Sequence, residues 1–170
     1  MSRRHNLVEF QENLTRRLHN APQREAVNAL LAVALGAESW LIKLTDIAEV
    51  LSCPPIESVP WTKPWFRGAT NFRGQVYGVV DLAAFVGAES VADTHRARLL
   101  LLNRNVARGC ALLVGKVLGM RNPAAFRPAP QAVDSRSWVK TRVLDDESAV
   151  WLELDLRELT TAQQFIDVTN

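Results

Sequence analysis

Short apolar runs separated by turn residues are the feature that most limits how this chain can fold. Residues 29–35, within a strand predicted at about 28–35, and residues 40–42 are apolar runs on either side of the polar cluster at residues 36–39. Two such runs around a short polar turn predict a β-hairpin. Residues 99–102 and 110–114 flank a second turn in the same way. Because these runs have the length of strands, the sequence predicts a mainly β protein.

Each predicted hairpin is followed by a short strand that contains valine. The first copy of this pattern covers residues 29–51, and the second covers residues 98–118. Residues 119–130 contain three prolines and are predicted to form a loop. The two copies together predict two half-sized β units. Further strands are predicted at residues 75–80, 138–144 and 149–154.

A helix is predicted at each end of the chain. Near the N-terminus, apolar residues recur at spacings of three and four, which places them on one helix face. That face is expected to cover either the body of the protein or a partner protein. We therefore predict a helical extension over residues 1–27 and a main domain over residues 28–170. The apolar positions of the stripe are Leu7, Phe10, Leu14 and Leu18.

The C-terminal helix has a clear start signal. Asp155 can accept a hydrogen bond from a backbone amide, so it is suited to cap a helix that runs from Leu156 to about Phe165. A single short helical turn is also predicted at residues 82–86, directly after the strand at residues 75–80.

The composition gives little support for catalysis. The chain has three histidines and two cysteines in 170 residues, and their spacing fits no metal site. Asp81 follows an apolar strand but has no second carboxylate nearby, so it is interpreted as a turn residue. We expect no enzymatic activity, no cofactor and no bound metal.

Charge and hydropathy also limit the partners. The formal net charge is +2, from 20 basic and 18 acidic residues, which is too balanced to predict binding to nucleic acid. The longest apolar run, at residues 29–35, is much shorter than a bilayer span. We therefore expect a cytoplasmic protein without direct membrane insertion. From the residues alone, a small regulatory β-barrel that binds a small ligand or an oligonucleotide remains an alternative.

Residues 65–82 form the most informative segment. Glycines lie at turn-like spacing, a polar corner spans residues 71–74, and an apolar strand then ends in Asp81-Leu82. With this segment, the chain resembles the CheW-like family of chemotaxis adaptor proteins from about residue 29 to residue 159. The order and spacing of several pieces carry the resemblance, namely residues 45–50, 58–60, 64–74, 79–82, 112–117 and 127–130.

The resemblance implies a fold and a set of partners. Family members have two five-stranded β-barrel subdomains around a shared apolar core. They couple the cytoplasmic tip of a methyl-accepting chemoreceptor to the regulatory domain of a CheA-like histidine kinase, and they carry out no catalysis. The N-terminal extension and the tryptophan-rich residues 60–65 look more like the PilI branch, which serves type IV pili and twitching motility.

The resemblance also assigns roles to residues. Gly68 would let the chain pass close beneath a receptor helix, and Glu49 and Arg73 would form an ion pair that orients the corner of the groove. The apolar contacts for the receptor would come from Ile47, Val117 and Met120. Kinase-side contacts are expected at Val50 and Ile56.

Overall fold

The computed structural model describes residues 28–92, 95–130 and 134–169. The strands in these ranges, numbered in chain order, are β1 (Leu30–Leu35), β2 (Glu38–Lys43), β3 (Ile47–Ser52), β4 (Phe66–Phe72), β5 (Gln75–Asp81), β6 (Arg98–Leu102), β7 (Cys110–Val114), β8 (Lys116–Arg121), β9 (Arg127–Pro128), β10 (Val139–Leu144) and β11 (Val150–Leu154). The short α-helices are Leu82–Phe85, Leu156–Thr161 and Gln163–Ile166, and the 3-10 helices are Leu44–Asp46 and Pro123–Ala125.

The strands form two sheets, which confirms the mainly β fold with two β subdomains. The six-stranded sheet has the order β8-β1-β2-β11-β10-β9, and the five-stranded sheet has the order β3-β6-β7-β5-β4. The strand pairs are antiparallel except for β2 with β11 and β5 with β7. One sheet therefore has a strand more than the five that the resemblance implied.

The repeated pattern is present, but its two copies are not separate units. The hairpin β1–β2 belongs to the six-stranded sheet, whereas β3, which follows it, belongs to the five-stranded sheet. The hairpin β6–β7 lies in the five-stranded sheet, and β8 after it lies in the six-stranded sheet. The two predicted β units are therefore present, but neither is continuous in sequence. In both copies, the strand that follows the hairpin pairs in the other sheet.

Strand β1 explains why the two sheets share one core. Successive side chains of a strand point to opposite faces. Leu31 and Val33 belong to the main core, which includes residues of both sheets, whereas Leu30 and Ala32 belong to a smaller core on the other face. A strand that is buried on both faces must be apolar throughout, as this run is.

The prediction of a loop at residues 119–130 is wrong in part. Strand β8 continues through Gly119 to Arg121, because it pairs with β1 across a β-bulge. The 3-10 helix Pro123–Ala125 and the short strand Arg127–Pro128 follow. Pro123 begins the 3-10 helix and Pro128 ends β9, whereas Pro130 lies in the irregular segment after β9.

The C-terminal helix is confirmed with one interruption. Asp155 Oδ1 accepts hydrogen bonds from the backbone amides of Arg157 and Glu158, as expected of an N-cap. The helix breaks at Ala162, whose ψ of 131° is extended, and a second turn follows to Ile166. The predicted N-terminal helix falls in residues 1–27, outside the described residues. Among the helices that are described, none has the length and hydropathy to cross a membrane.

Candidate functional site

The corner between β4 and β5 is a two-residue hairpin turn. Phe72 pairs with Gln75, so Arg73 and Gly74 form the turn, with φ values of 50° and 78°. Two positive φ values are typical of a type I′ turn, which favours Asn and Gly at its centre. Asn71 Oδ1 accepts a hydrogen bond from the backbone amide of Gly74 at 3.1 Å. Arginine is thus held in a backbone conformation that few side chains adopt.

The ion pair predicted between Glu49 and Arg73 is present. Arg73 Nη1 lies 3.2 Å from Glu49 Oε2, and the Arg73 guanidinium lies 4.8 Å from the ring centre of Phe72. The side chain of Glu49 is 35% exposed and that of Arg73 is 74% exposed, so the pair adds only about 0–1 kcal/mol to stability. Its effect is geometric, since it joins β3 to the β4–β5 turn at opposite edges of the five-stranded sheet.

Backbone contacts join the same two edges. The amide of Glu57 donates to Ala69 O and the amide of Ala69 donates to Glu57 O, both at 2.8 Å. Thr70 Oγ1 donates to Pro55 O at 2.8 Å. The segment after β3 therefore runs beside β4 and links the two edge strands of the five-stranded sheet. This fixes the position of the corner that carries Arg73.

A contact within the chain itself explains why residue 68 is a glycine. Its φ is 126°, and a Cβ atom built there would collide with the carbonyl oxygen of Glu57. The space above Gly68 is therefore occupied by the segment that follows β3. The sequence-based reason, clearance for a receptor helix, is not needed to explain this glycine. Any larger residue would disturb the edge contact before it could block a partner.

Two of the three residues predicted to supply apolar receptor contacts, Val117 and Met120, lie on one face of β8, whereas Ile47 lies in β3 of the other sheet. Val117 and Met120 lie in β8 opposite Val33 and Leu31, which belong to the main core together with Ile47. Residues directly opposite each other in a strand pair have side chains on the same face. Ile47 is 9% exposed, whereas Met120 is 67% exposed. Met120 is thus the accessible member of this set.

The two residues expected on the kinase side differ in exposure. Val50 lies in β3 and is 40% exposed. Ile56 lies in the segment after β3 and packs partly against the main core. Val50 therefore offers an apolar surface, while most of Ile56 is used within the fold.

Asp81 organises the end of β5 more than the sequence indicated. Its wholly buried carboxylate accepts hydrogen bonds from the backbone amides of Ala84 (3.1 Å) and Val91 (2.8 Å) and from Ser90 Oγ (2.6 Å). Arg67 Nη1 lies 3.3 Å from the same group. The interpretation of Asp81 as a turn residue is correct, but the side chain also anchors residues 90 and 91 to the five-stranded sheet.

The tryptophan-rich segment separates into two environments. Trp65 packs with Phe85 and Phe165, with ring centres 5.2 and 6.1 Å away. Trp61 is 85% exposed and has a φ of 63°. The sequence does not distinguish the two tryptophans, because both directly follow a proline in one short segment. The contacts with Phe85 and Phe165 show that Trp65 is the partly buried one.

The CheW-like domain family model matches residues 29–164. The chain belongs to the CheW-like family. Its match begins one residue before β1 and ends within the last helical turn. The matched region thus contains both sheets, the Glu49–Arg73 pair and the face that carries Met120.

Similar proteins agree with this membership. Protein PilI of Pseudomonas aeruginosa is 27% identical over 119 residues, which are 68% of this chain and 66% of that protein. A probable chemotaxis protein CheW of Rhizobium etli is 27% identical over 67 residues, 39% of this chain and 43% of the relative. The alignments thus span less than two thirds of the relatives' own lengths.

A solved structure has the same fold. The scaffolding protein TtCheW from Thermoanaerobacter tengcongensis superimposes with a TM-score of 0.67 and 19% identity. The superposition covers 81% of this chain and 94% of that one. The likeness in fold therefore extends over nearly the whole CheW protein.

Proposed function

We propose that this protein is a non-catalytic chemosensory adaptor. It couples the cytoplasmic tip of a methyl-accepting chemoreceptor to the regulatory domain of a CheA-like histidine kinase. Membership of the CheW-like family supports this role, as does the likeness to proteins named for chemotaxis and scaffolding. The CheW-like domain is proposed to span residues 28–170, with residues 1–27 as a helical extension.

The observation that carries the proposal is the Glu49–Arg73 pair. An exposed ion pair contributes little to stability, yet Arg73 occupies a turn position where Asn or Gly would cost less. A side chain kept in an unfavoured conformation is a reason to propose a function for it. We assign the pair to orienting the receptor-binding corner, which Gly68 supports from within the sheet.

The apolar part of the receptor surface is assigned to Ile47, Val117 and Met120, of which Met120 is the most exposed. A helical receptor tip can lay an apolar stripe against such a surface, and exposed methionine adapts to the shape of a partner. Val50 and Ile56 are assigned to the kinase contact. In this arrangement the partner surfaces use both sheets.

The pathway is assigned from one relative. The match to Protein PilI covers more of the chain than the match to the CheW protein of Rhizobium etli. We therefore assign the adaptor to a pathway that controls type IV pili and twitching motility. A deletion strain that keeps normal twitching but loses swimming chemotaxis would contradict this assignment.

Receptor binding is tested by changing Met120, because it is exposed and its loss leaves the core intact. Met120→Asp is expected to weaken binding of a receptor-tip fragment at least tenfold, since a charge would be buried against an apolar stripe. Val150→Asp is the matched control, because Val150 is also exposed (51%) in a strand of the same sheet. Equal binding by wild type and Met120→Asp in a calorimetric titration would reject the assigned face.

A further inference from the structure

A cavity of about 220 Å³ opens at one end of the five-stranded sheet. It lies between the start of β5 and the loop that joins β6 to β7. Neither the assigned receptor residues nor the assigned kinase residues contribute to it. Its polar lining comes from Gln75, Tyr77, Arg104 and Arg108, and its apolar lining includes Val76 and Leu102.

The two arginines at this cavity, Arg104 and Arg108, differ from Arg67 and Arg73 of the β4–β5 hairpin in having no carboxylate partner among the described residues. Arg67 and Arg73 each contact a carboxylate. Within the described parts of the chain, Arg104 and Arg108 have neither an ion pair nor a hydrogen bond, and both side chains are exposed. Each guanidinium offers five N–H donors and no acceptor. Two unpaired guanidinium groups on one cavity repel each other and favour an anion between them.

The loop that carries the arginines is held in place by several contacts. Asn103 O accepts from the amides of Val106 and Ala107, and Asn103 Oδ1 accepts from the amide of Asn105. Arg157 Nη1 donates to Asn105 O at 3.0 Å, which ties the loop to the C-terminal helix. A loop ordered before binding loses less entropy when a ligand arrives.

The wall between the loop and β5 is also close-packed. The amide of Gly78 donates to Gly109 O at 2.8 Å. Gly109 has a φ of 67°, and a Cβ there would lie 3.3 Å from Val76 O. The Tyr77 hydroxyl donates to Gln75 Oε1 at 3.0 Å, so the side-chain N–H groups of Gln75 remain as further donors. The lining therefore offers donors from two sides.

The size and chemistry of the cavity indicate the ligand. Its volume is below the roughly 300–1,000 Å³ of common metabolite sites, so it fits a small charged group and few attached atoms. Planar guanidinium groups match the oxygens of phosphate in two-point contacts. We propose that this cavity binds phosphate or pyrophosphate, either free or as the charged end of a small ester. This site is independent of the proposed adaptor function.

Calorimetric titration of the full chain with pyrophosphate, inorganic phosphate and glycerol phosphate tests the site. Saturable binding of a single equivalent is expected at low salt, and it should persist at about 150 mM salt. Arg104→Gln and Arg108→Gln are each expected to weaken binding at least tenfold. Arg104→Lys should recover only part of the affinity, because it keeps the charge but loses the two-point contact.

The control separates a defined site from general electrostatics. Arg96→Gln removes an exposed arginine outside the cavity and should leave binding within about twofold of wild type. Tighter binding of glycerol phosphate than of phosphate would assign the ester, and the reverse would assign the free anion. The proposal is overturned if no titration saturates, if Arg96→Gln weakens binding as much as Arg104→Gln, or if citrate or an acidic peptide binds while pyrophosphate does not.

Discussion

Two glycines of the β4–β5 hairpin serve different purposes. Gly68 allows the segment after β3 to approach β4, whereas Gly74 only supplies a positive φ, since a Cβ there would meet nothing within 4 Å. The sequence shows both glycines at turn-like spacing. It does not show which one lies beneath another segment, because that contact joins two edges of a sheet that are distant in strand order.

Gly68→Ala is expected to destabilise the protein by about 3 kcal/mol or more, because backbone strain adds to a collision with Glu57. Gly74→Ala should cost about 1 kcal/mol, since only the left-handed backbone penalty applies. Urea unfolding monitored by tryptophan fluorescence measures both. Equal costs for the two variants would contradict the proposed edge contact.

The ion pair could be predicted from the sequence, whereas the exposed tryptophan could not. The resemblance to the CheW-like family implies the pairing of Glu49 with Arg73. Trp61 has no such partner, and its positive φ depends on the turn in which Thr62 Oγ1 donates to Val59 O at 2.8 Å. Arg104 and Arg108 lie in no recognisable motif, and the cavity between β5 and the β6–β7 loop is not visible in the sequence.

At the level of elements, Asp81 connects strand β5, the helix Leu82–Phe85 and the segment at residues 90–91 that follows this helix. Its Oδ1 caps the helix Leu82–Phe85 through Ala84, while its Oδ2 accepts from Ser90 and Val91. An asparagine can replace the first contact but not the second. Its amide group would point a donor at the donors of Val91 and Arg67.

Asp81→Asn is therefore expected to destabilise the protein by about 2–4 kcal/mol and to speed hydrogen exchange at Val91. Asp155→Asn is the matched control. Asp155 accepts both of its amide hydrogen bonds on one oxygen, which asparagine also provides, so a loss below about 0.5 kcal/mol is expected. Similar losses in the two variants would reject the anchoring role.

The carboxylate of Asp134 couples the stability of the protein to pH. Asp134 accepts hydrogen bonds from Arg136 and Arg142, and these guanidinium groups hold its pKa well below the usual value. The folded state therefore keeps the charge more readily than the unfolded chain does. The resulting stability is present above the ordinary carboxyl pKa of about 4, and it is lost as pH falls below that value.

The expected result concerns the slope of stability against pH. Between about pH 5 and 2.5, the unfolding free energy of Asp134→Asn should fall less steeply than that of wild type. Asp146→Asn, at an exposed position in the β10–β11 turn, should keep the wild-type slope. Urea titrations at several pH values measure these slopes. A wild-type slope in Asp134→Asn would show that the network does not control acid stability.

For the whole molecule, the sequence predicted the elements better than their arrangement. Residues 29–51 and 98–118 do form a hairpin and a third strand each. Which sheet receives β3 or β8 depends on contacts with strands far along the chain, such as β3 with β6 and β8 with β1. Local alternation of apolar residues carries no information about that choice. The exchange of strands is what gives the two subdomains a common core.

The adaptor proposal depends on this arrangement. The exchange of strands puts β3, which carries Glu49, in the five-stranded sheet and β8, which carries Met120, in the six-stranded sheet. The most direct test titrates a receptor-tip fragment against wild type, Glu49→Arg, Arg73→Glu and the double variant. All four should fold with similar stability, since the pair is exposed. Each single variant should bind at least about fivefold more weakly, and the double variant should return to within about twofold of wild type. Undiminished binding by the single variants, or a double variant no tighter than either of them, would contradict the account.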